Sequence, residues 1–336
     1  MSDALYDLVR EHHSLSIVGM CKNAGKTTVF VSILRNFSSA SEILALTSIG
    51  RDGEAVDLVT GAKKPGIYVR EGSLIATAEG LLRYCDVTRE ILAVTGITTP
   101  LGEVVVARAL SDGNVQLAGP SMVEQLVGVS RLFRELGASR VIIDGAVGRK
   151  TLCSRSLAEA TVLCTGASCG RSMDAVVAET AHVCRLLMTP EVKDTALADM
   201  RNRVRDEKYV LLGKENLLLP DEADLTGALR QMENPRLLYV EGAVTDSLLD
   251  PLLRSRLPEG FTIATRDAGR LLLSADSLRR LSMHKGRLGV VEDIHLAVLT
   301  INPYSVYGYD FDEPEFLRRM KEAVPVPVVN VRSGGD

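Results

Sequence analysis

Tryptophan is absent from the 336 residues, and aromatic side chains of all kinds make up only 4% of them, which leaves few flat surfaces on which bases could stack. Cationic residues never gather into a stripe: 39 Lys and Arg are spread among 43 Asp and Glu, for a formal net charge of −4. Both shortages argue against nucleic acid as a partner. Long apolar runs are missing too. Although 46% of the residues are hydrophobic, no stretch nears the ~18 consecutive apolar residues that a membrane-spanning helix needs. The opening Met1-Ser2-Asp3-Ala4-Leu5-Tyr6-Asp7 is acidic and mixed where a secretory leader is basic and then apolar. A cytoplasmic location with no membrane partner is expected.

The six cysteines, Cys21, Cys85, Cys153, Cys164, Cys169 and Cys184, show none of the paired C-x-x-C spacing of a zinc site. Large cytosolic chains rarely hold disulfides, so buried or inert thiols are expected. Cys21 is set apart, because it lies inside a glycine-bounded loop, and an oxidation-sensitive thiol is expected there.

At this length about two domains of ~150 residues each are expected. Short β-rich apolar runs alternate with segments of helical period, the pattern of an α/β fold with a mainly parallel sheet. Strands are predicted at 15–18, 42–48, 141–143 and 160–165, and helices at 25–37, 121–136 and 172–188. Val29, Phe30 and Ile33 share the core-facing side of the first of these helices. Ser111-Asp112-Gly113-Asn114 is turn chemistry that predicts a hairpin between strands at 103–110 and 115–118. Residues 191–208 are charged and lack an apolar stripe, which puts a boundary near 195. A larger domain over 1–195 and a smaller α/β domain over 196–336 follow, the latter with strands at 209–212, 237–240, 262–265, 296–301 and 326–331.

The most specific chemistry lies in Ser16-Ile17-Val18-Gly19-Met20-Cys21-Lys22-Asn23-Ala24-Gly25-Lys26-Thr27-Thr28. After a buried strand, small residues allow successive backbone N–H groups to converge on phosphate oxygens at the positive end of the following helix. Gly19, Cys21, Lys22, Asn23, Ala24, Gly25, Lys26, Thr27 and Thr28 are therefore the candidate nucleotide-binding residues. Lys26 would lie over the terminal phosphates and assist catalysis, and the Thr27 hydroxyl would ligate magnesium. The loop is one residue longer than the usual phosphate loop, since Gly19 stands one step before the position held by Met20. No Asn-Lys-x-Asp box for guanine occurs, which favours ATP over GTP.

The longer loop resembles that of dethiobiotin synthetase and the cobyrinic acid a,c-diamide synthases. Val141-Ile142-Ile143-Asp144-Gly145-Ala146-Val147-Gly148 resembles the strand end that carries the magnesium-binding acid of those enzymes, with Asp in place of the commoner Glu. Asp144 is thus a candidate catalytic and metal-binding residue, and Asp52, after the second strand, is a further candidate metal contact. No match to the small-substrate residues of the synthetases is found. The loop, Leu46-Thr47-Ser48-Ile49-Gly50-Arg51-Asp52-Gly53-Glu54, the Asp144 turn, Asn302-Pro303-Tyr304-Ser305 and Pro325-Val326-Pro327-Val328 together resemble the P-loop ATPase subunit of the lysine aminomutase reactivases. That resemblance implies ATP and Mg2+ as cofactors. It also implies an adenosylcobalamin-dependent aminomutase as client and a companion reactivase subunit as partner. A homodimer is expected by analogy with related folds that hold the nucleotide between subunits.

Two other functions fit the same loop. One is an ATP-dependent synthetase or kinase acting on a small carboxylic-acid metabolite; the other is a regulatory nucleotide-binding module without hydrolysis. Asp293-Ile294-His295 opens like a cobalamin-ligating Asp-x-His-x-x-Gly motif, but Val298 occupies the Gly position, so a structural histidine and no bound cobalamin are expected. Leu238-Tyr239-Val240-Glu241-Gly242 echoes the Asp144 segment without a phosphate loop and is read as a shared style of strand end.

Overall fold

The computed structural model describes residues 2–37, 42–50, 66–147, 153, 155–204, 206–255 and 257–331. Helix α1 (Ser2–Val9) leads into β1 (Ser14–Gly19), α2 (Lys26–Phe37), β2 (Leu44–Ser48), β3 (Ile67–Val69) and β4 (Leu74–Ala78). Strands β5 (Arg89–Thr99), β6 (Gly102–Ala109) and β7 (Gly113–Val115) come next, then α3 (Val123–Glu135), β8 (Arg140–Val147), β9 (Ala160–Gly166) and α4 (Met173–Leu187). β1 is buried at all six positions and β9 at all seven. Such unbroken burial marks strands covered on both faces of a parallel sheet. On α2, Val29, Phe30, Ile33, Leu34 and Phe37 are the buried residues, a stripe at helical spacing that packs in one core with Leu15, Ile17, Ile142 and Val162.

Within His182–Ile294, which forms a compact unit of its own, come α5 (Thr195–Arg201), β10 (Tyr209–Leu212), β11 (Asn216–Leu219), α6 (Leu225–Gln231), β12 (Leu237–Val240) and β13 (Val244–Thr245). The unit ends with α7 (Asp246–Arg254), β14 (Thr262–Asp267), β15 (Leu271–Leu272), α8 (Ala275–Met283) and β16 (Arg287–Glu292). Its five-stranded sheet runs β11-β10-β12-β14-β16, with β12, β14 and β16 parallel and β10 and β11 antiparallel. Val210, Leu212, Tyr239 and Ala264 from this sheet pack against Leu197 and Met200 of α5.

The chain then gives β17 (Leu296–Asn302), α9 (Glu313–Ala323) and β18 (Val328–Asn330), which return to the first sheet. That sheet has nine described strands in the order β18-β17-β9-β1-β8-β2-β4-β6-β5. It is parallel from β18 to β4 and antiparallel at the β4-β6-β5 edge. The fold is α/β with a large, mixed, mostly parallel sheet.

Two expectations need correction. The division at 195 into 1–195 and 196–336 differs from the structure, in which one unit comprises 1–181 together with 295–336. The physical reason lies in β9: β17 pairs along it from Leu296↔Thr161 to Asn302↔Gly166, so the strands at 296–302 and 328–330 belong to the larger sheet. The hairpin expected at Ser111-Asp112-Gly113-Asn114 is also absent. β6 pairs with β4 and β5, while β7 pairs with β3. Asp112 accepts hydrogen bonds from the Glu71 N–H and the Tyr68 hydroxyl, so its turn chemistry serves the β3–β7 ribbon.

Gly128 is exposed within α3 with nothing within 4 Å of where a Cβ would stand. Gly128→Ala is expected to raise stability by about 1 kcal/mol, since glycine pays the larger entropy cost in a helix, and a higher urea midpoint would check it. Asp194 caps α5 by accepting from the Leu197 N–H at 3.1 Å and pairs with Arg236. The Arg236 side chain, with help from the Leu197 N–H, holds this carboxyl below its ordinary value. A depressed carboxyl stabilises the fold above its unfolded value and loses that effect as pH falls through the folded one. Asp194→Ala should therefore cost about 1–2 kcal/mol at neutral pH, and the deficit in urea unfolding should shrink below about pH 4.

Candidate functional site

β1 leaves the sheet at Gly19, and α2 begins at Lys26. Asn23 and Gly25, with φ of 63° and 95°, supply the left-handed conformations that turn the chain between them; glycine adopts this region freely and asparagine better than most. The first turn of α2 closes with the Val29 N–H donating to Gly25 O at 3.1 Å. The N–H groups of Lys26, Thr27 and Thr28 precede that bond and have no partner within the helix. No acidic side chain occupies this first turn, so no residue of the turn itself offsets the positive end of the helix.

The Lys26 side chain runs back across the end of β1. A Cβ on Gly19 would stand 2.9 Å from Lys26 Cδ and 3.0 Å from Cγ, so only glycine leaves this path open. Lys26 Nζ donates to Gly145 O and lies 3.8 Å from Asp144 Oδ1. The two side chains are 18% and 33% exposed, and a wetted pair at that distance contributes little to stability. Its importance is positional.

Asp144 lies opposite Ile17 of β1 and Ser48 of β2, and β8 continues past it. From Ile17↔Asp144 to Gly19↔Val147 the register slips by one residue. Such bulges re-aim the groups beside them and recur next to functional sites. Gly145 makes the bulge possible, since a Cβ there would fall 2.5 Å from Ile17 O.

Three further tethers fix the loop. The Met20 N–H donates to Cys164 O at 2.9 Å. Asn302, at the end of β17, donates from Nδ2 to Asn23 O at 3.4 Å and packs against Gly25, where a Cβ would lie 3.3 Å from Asn302 Cβ. Cys21 is disulfide-bonded to Cys169, with the two Cα atoms 5.3 Å apart. This bridge corrects the expectation of unpaired thiols. The partners are 148 residues apart in sequence and meet because β1 and β9 are adjacent and parallel, so their chains leave the sheet at the same end. Cys153, Cys164 and Cys184 are buried and take no part in the bridge; burial pushes the thiols of Cys164 and Cys184 up to about 12, which keeps them protonated.

Of the residues singled out from sequence, the structure brings Gly19, Lys26 and Asp144 together. Thr27 is exposed at the start of α2, Thr28 is half-buried beside it, Ala24 is buried in the loop and Lys22 is exposed on it. Asp52 lies outside the described residues. Sequence reasoning missed three neighbours of the loop: the Gly145 carbonyl, Cys169 and Asn302. Asn302 ends a buried strand as Asp144 lies near the end of another, and that parallel placement was the available signal.

Elsewhere, Glu241 accepts a hydrogen bond from the Tyr239 hydroxyl at 2.7 Å, which occupies it within its own strand end. The His295 ring packs on His12 with centroids 4.9 Å apart. Among the described residues no three His, Cys, Asp or Glu side chains gather as a metal cage, and no helix is long and apolar enough to cross a membrane.

No family model, curated protein or solved structure matches the chain. Because Gly145 meets backbone, Gly145→Ala should cost about 1–3 kcal/mol in urea unfolding, the scale of overpacking a tight core, whereas Gly19→Ala meets only flexible lysine methylenes and should cost less.

Proposed function

We propose that the chain binds Mg-ATP at the turn between β1 and α2, as a P-loop NTPase, and couples hydrolysis to the remodelling of a partner protein. The observation that carries this reading is the Lys26 side chain lying across Gly19, with Nζ beside Gly145 O and Asp144, at the start of a helix whose first turn holds no acidic side chain. The groups present fit a polyphosphate. Glycine leaves a path that a Cβ would crowd, the first-turn N–H groups have no partner within the helix, and the buried Nδ2 of Asn23 has no hydrogen-bond partner. They also fit magnesium, which takes few protein oxygens and shares its shell with phosphate and water. Thr27 Oγ1 and the Asp144 carboxylate would hold it.

When bound, Mg-ATP supplies the electrophilic terminal phosphorus and the metal charge that offsets repulsion of the attacking water. Lys26 exchanges the Gly145 carbonyl for phosphate oxygens and neutralises charge as the terminal bond breaks. The N–H groups of Lys26, Thr27 and Thr28 orient the phosphates through the helix end. Lys26 would return to the Gly145 carbonyl and Asp144 once the terminal phosphate is lost, giving the loop two alternative sets of contacts, the requirement for a nucleotide switch.

The client in this reading is a cobalamin-dependent aminomutase, assisted by a companion subunit; these follow from the resemblance of the loop, the 46–54 segment, the Asp144 turn, the Asn302 segment and the closing strand, and a cytoplasmic setting is proposed alongside them. The test is magnesium-dependent ATP hydrolysis by the purified chain, alone and with an inactivated aminomutase plus the companion subunit. Slow turnover that rises with the protein mixture supports remodelling. A rate that responds to a carboxylic-acid metabolite and to no protein favours a synthetase or kinase. Lys26→Ala and Thr27→Ala are each expected to lower turnover at least a hundredfold, the scale of losing one preorganised group at a developing charge; undiminished hydrolysis in Lys26→Ala would sink the nucleotide reading.

A further inference from the structure

The loop carries a covalent tether whose position has a consequence for binding. Cys21 lies between Gly19 and Gly25, and its partner Cys169 ends the short turn Ala167–Cys169 that follows β9. The Cα separation of 5.3 Å lies inside the range a disulfide spans without backbone movement, about 4.4–6.8 Å. β1 has β9 on one side and β8 on the other. The bridge therefore ties the loop on its β9 side, while Lys26, Gly145 and Asp144 meet on the β8 side. It stiffens the loop without occupying the place where those groups converge.

The other thiols are poorly suited to exchange. Cys153, Cys164 and Cys184 are buried, whereas Cys21, Cys169 and Cys85 are half-buried; Cys85 Sγ donates to Leu81 O at 3.5 Å and burial raises its thiol above the ordinary value, which leaves it less reactive. Thr165 Oγ1 lies 3.9 Å from Cys169 Sγ and 2.9 Å from Thr180 Oγ1; the Thr180 hydroxyl donates to Val176 O at 2.7 Å, so the Thr165 proton goes to Thr180 and its contact with the sulfur is one of packing.

We propose that Cys21 and Cys169 form a reversible thiol–disulfide modification site that sets the nucleotide affinity of the loop, with the bridged form binding more tightly. This rests on the nucleotide reading above. The oxidant is a low-molecular-weight disulfide, RSSR. The Cys21 thiolate, on the loop leading to the positive end of α2, attacks one sulfur of RSSR, forming a mixed disulfide and releasing RS−. The Cys169 thiolate then attacks the Cys21 sulfur, closing the bridge and expelling the second RS−. The protein pair loses two electrons and two protons in all, and RSSR becomes two RSH. Reduction frees the loop backbone, whose ordering must then be supplied by the ligand.

The experiment equilibrates the full chain with oxidised or reduced glutathione, reads the bridge by mass spectrometry of unreduced peptides, and titrates each form with Mg-ADP. The expected result is a Cys21–Cys169 peptide in the oxidised sample and Mg-ADP binding about tenfold weaker after reduction. Cys169→Ser and Cys169→Ala should each bind like the reduced chain under both conditions, and Cys85→Ser should keep the full response. Equal affinity in the two forms, tighter binding in the reduced form, or no bridged peptide overturns the proposal and leaves nucleotide binding standing. A bridged peptide with no Mg-ADP binding in either form overturns the nucleotide reading and the control of affinity with it.

Discussion

The parallel pairing of β1 with β8 on one side and β9 on the other is the constraint on which the site depends. Each neighbour delivers a different set of groups to the same end of β1. β8 supplies Asp144 and the Gly145 carbonyl, and β9 supplies Cys164 O and, after a short turn, Cys169. The unbroken burial of β1 and β9 shows why this arrangement is rigid. A strand covered on both faces cannot shift register without moving apolar side chains out of a close-packed core.

Within that frame, small residues decide where the loop runs. Gly19 leaves room for the methylenes of Lys26, Gly145 lets β8 bulge against Ile17, and Gly25 accepts both a left-handed φ and the close approach of Asn302. These three sites differ in what a Cβ would meet. At Gly145 it meets backbone and at Gly19 a flexible side chain, so the first serves the sheet and the second the mobility of Lys26. A lysine held by one carbonyl and a carboxylate 3.8 Å away is poised to exchange partners, because neither contact is buried deeply enough to hold it strongly.

Local order was legible in the sequence. The helix at Lys26–Phe37 and the buried strands around Leu15, Ile142 and Val162 followed from period and composition, since α2 buries one stripe and parallel strands bury both faces. Glycine spacing and the Asp144 strand end likewise led to Gly19, Lys26 and Asp144. What could not be read is set by long-range pairing. Turn chemistry at Asp112 and Gly113 says that the chain bends, but the hydrogen bonds that use it come from Tyr68 and Glu71. Nothing in the spacing of Cys21 and Cys169 joins them, because their proximity is a property of strand order. The edge strand β5, with no residue buried along its length, lacks the apolar alternation that would have announced it.

The same logic explains why a boundary drawn from composition misplaces the last strands. If the large sheet ended at β9, a strand buried at all seven positions would present an unpaired edge. β17 covers it and β18 covers β17, so residues 182–294 interrupt a unit that the chain must return to complete. The return reaches the candidate site, because β17 ends at Asn302, which touches Asn23 O and Gly25 across 279 residues of sequence. The two chain connections of the inserted unit thus continue from elements that bear on the loop: α4 follows the turn holding Cys169, and β17 carries Asn302.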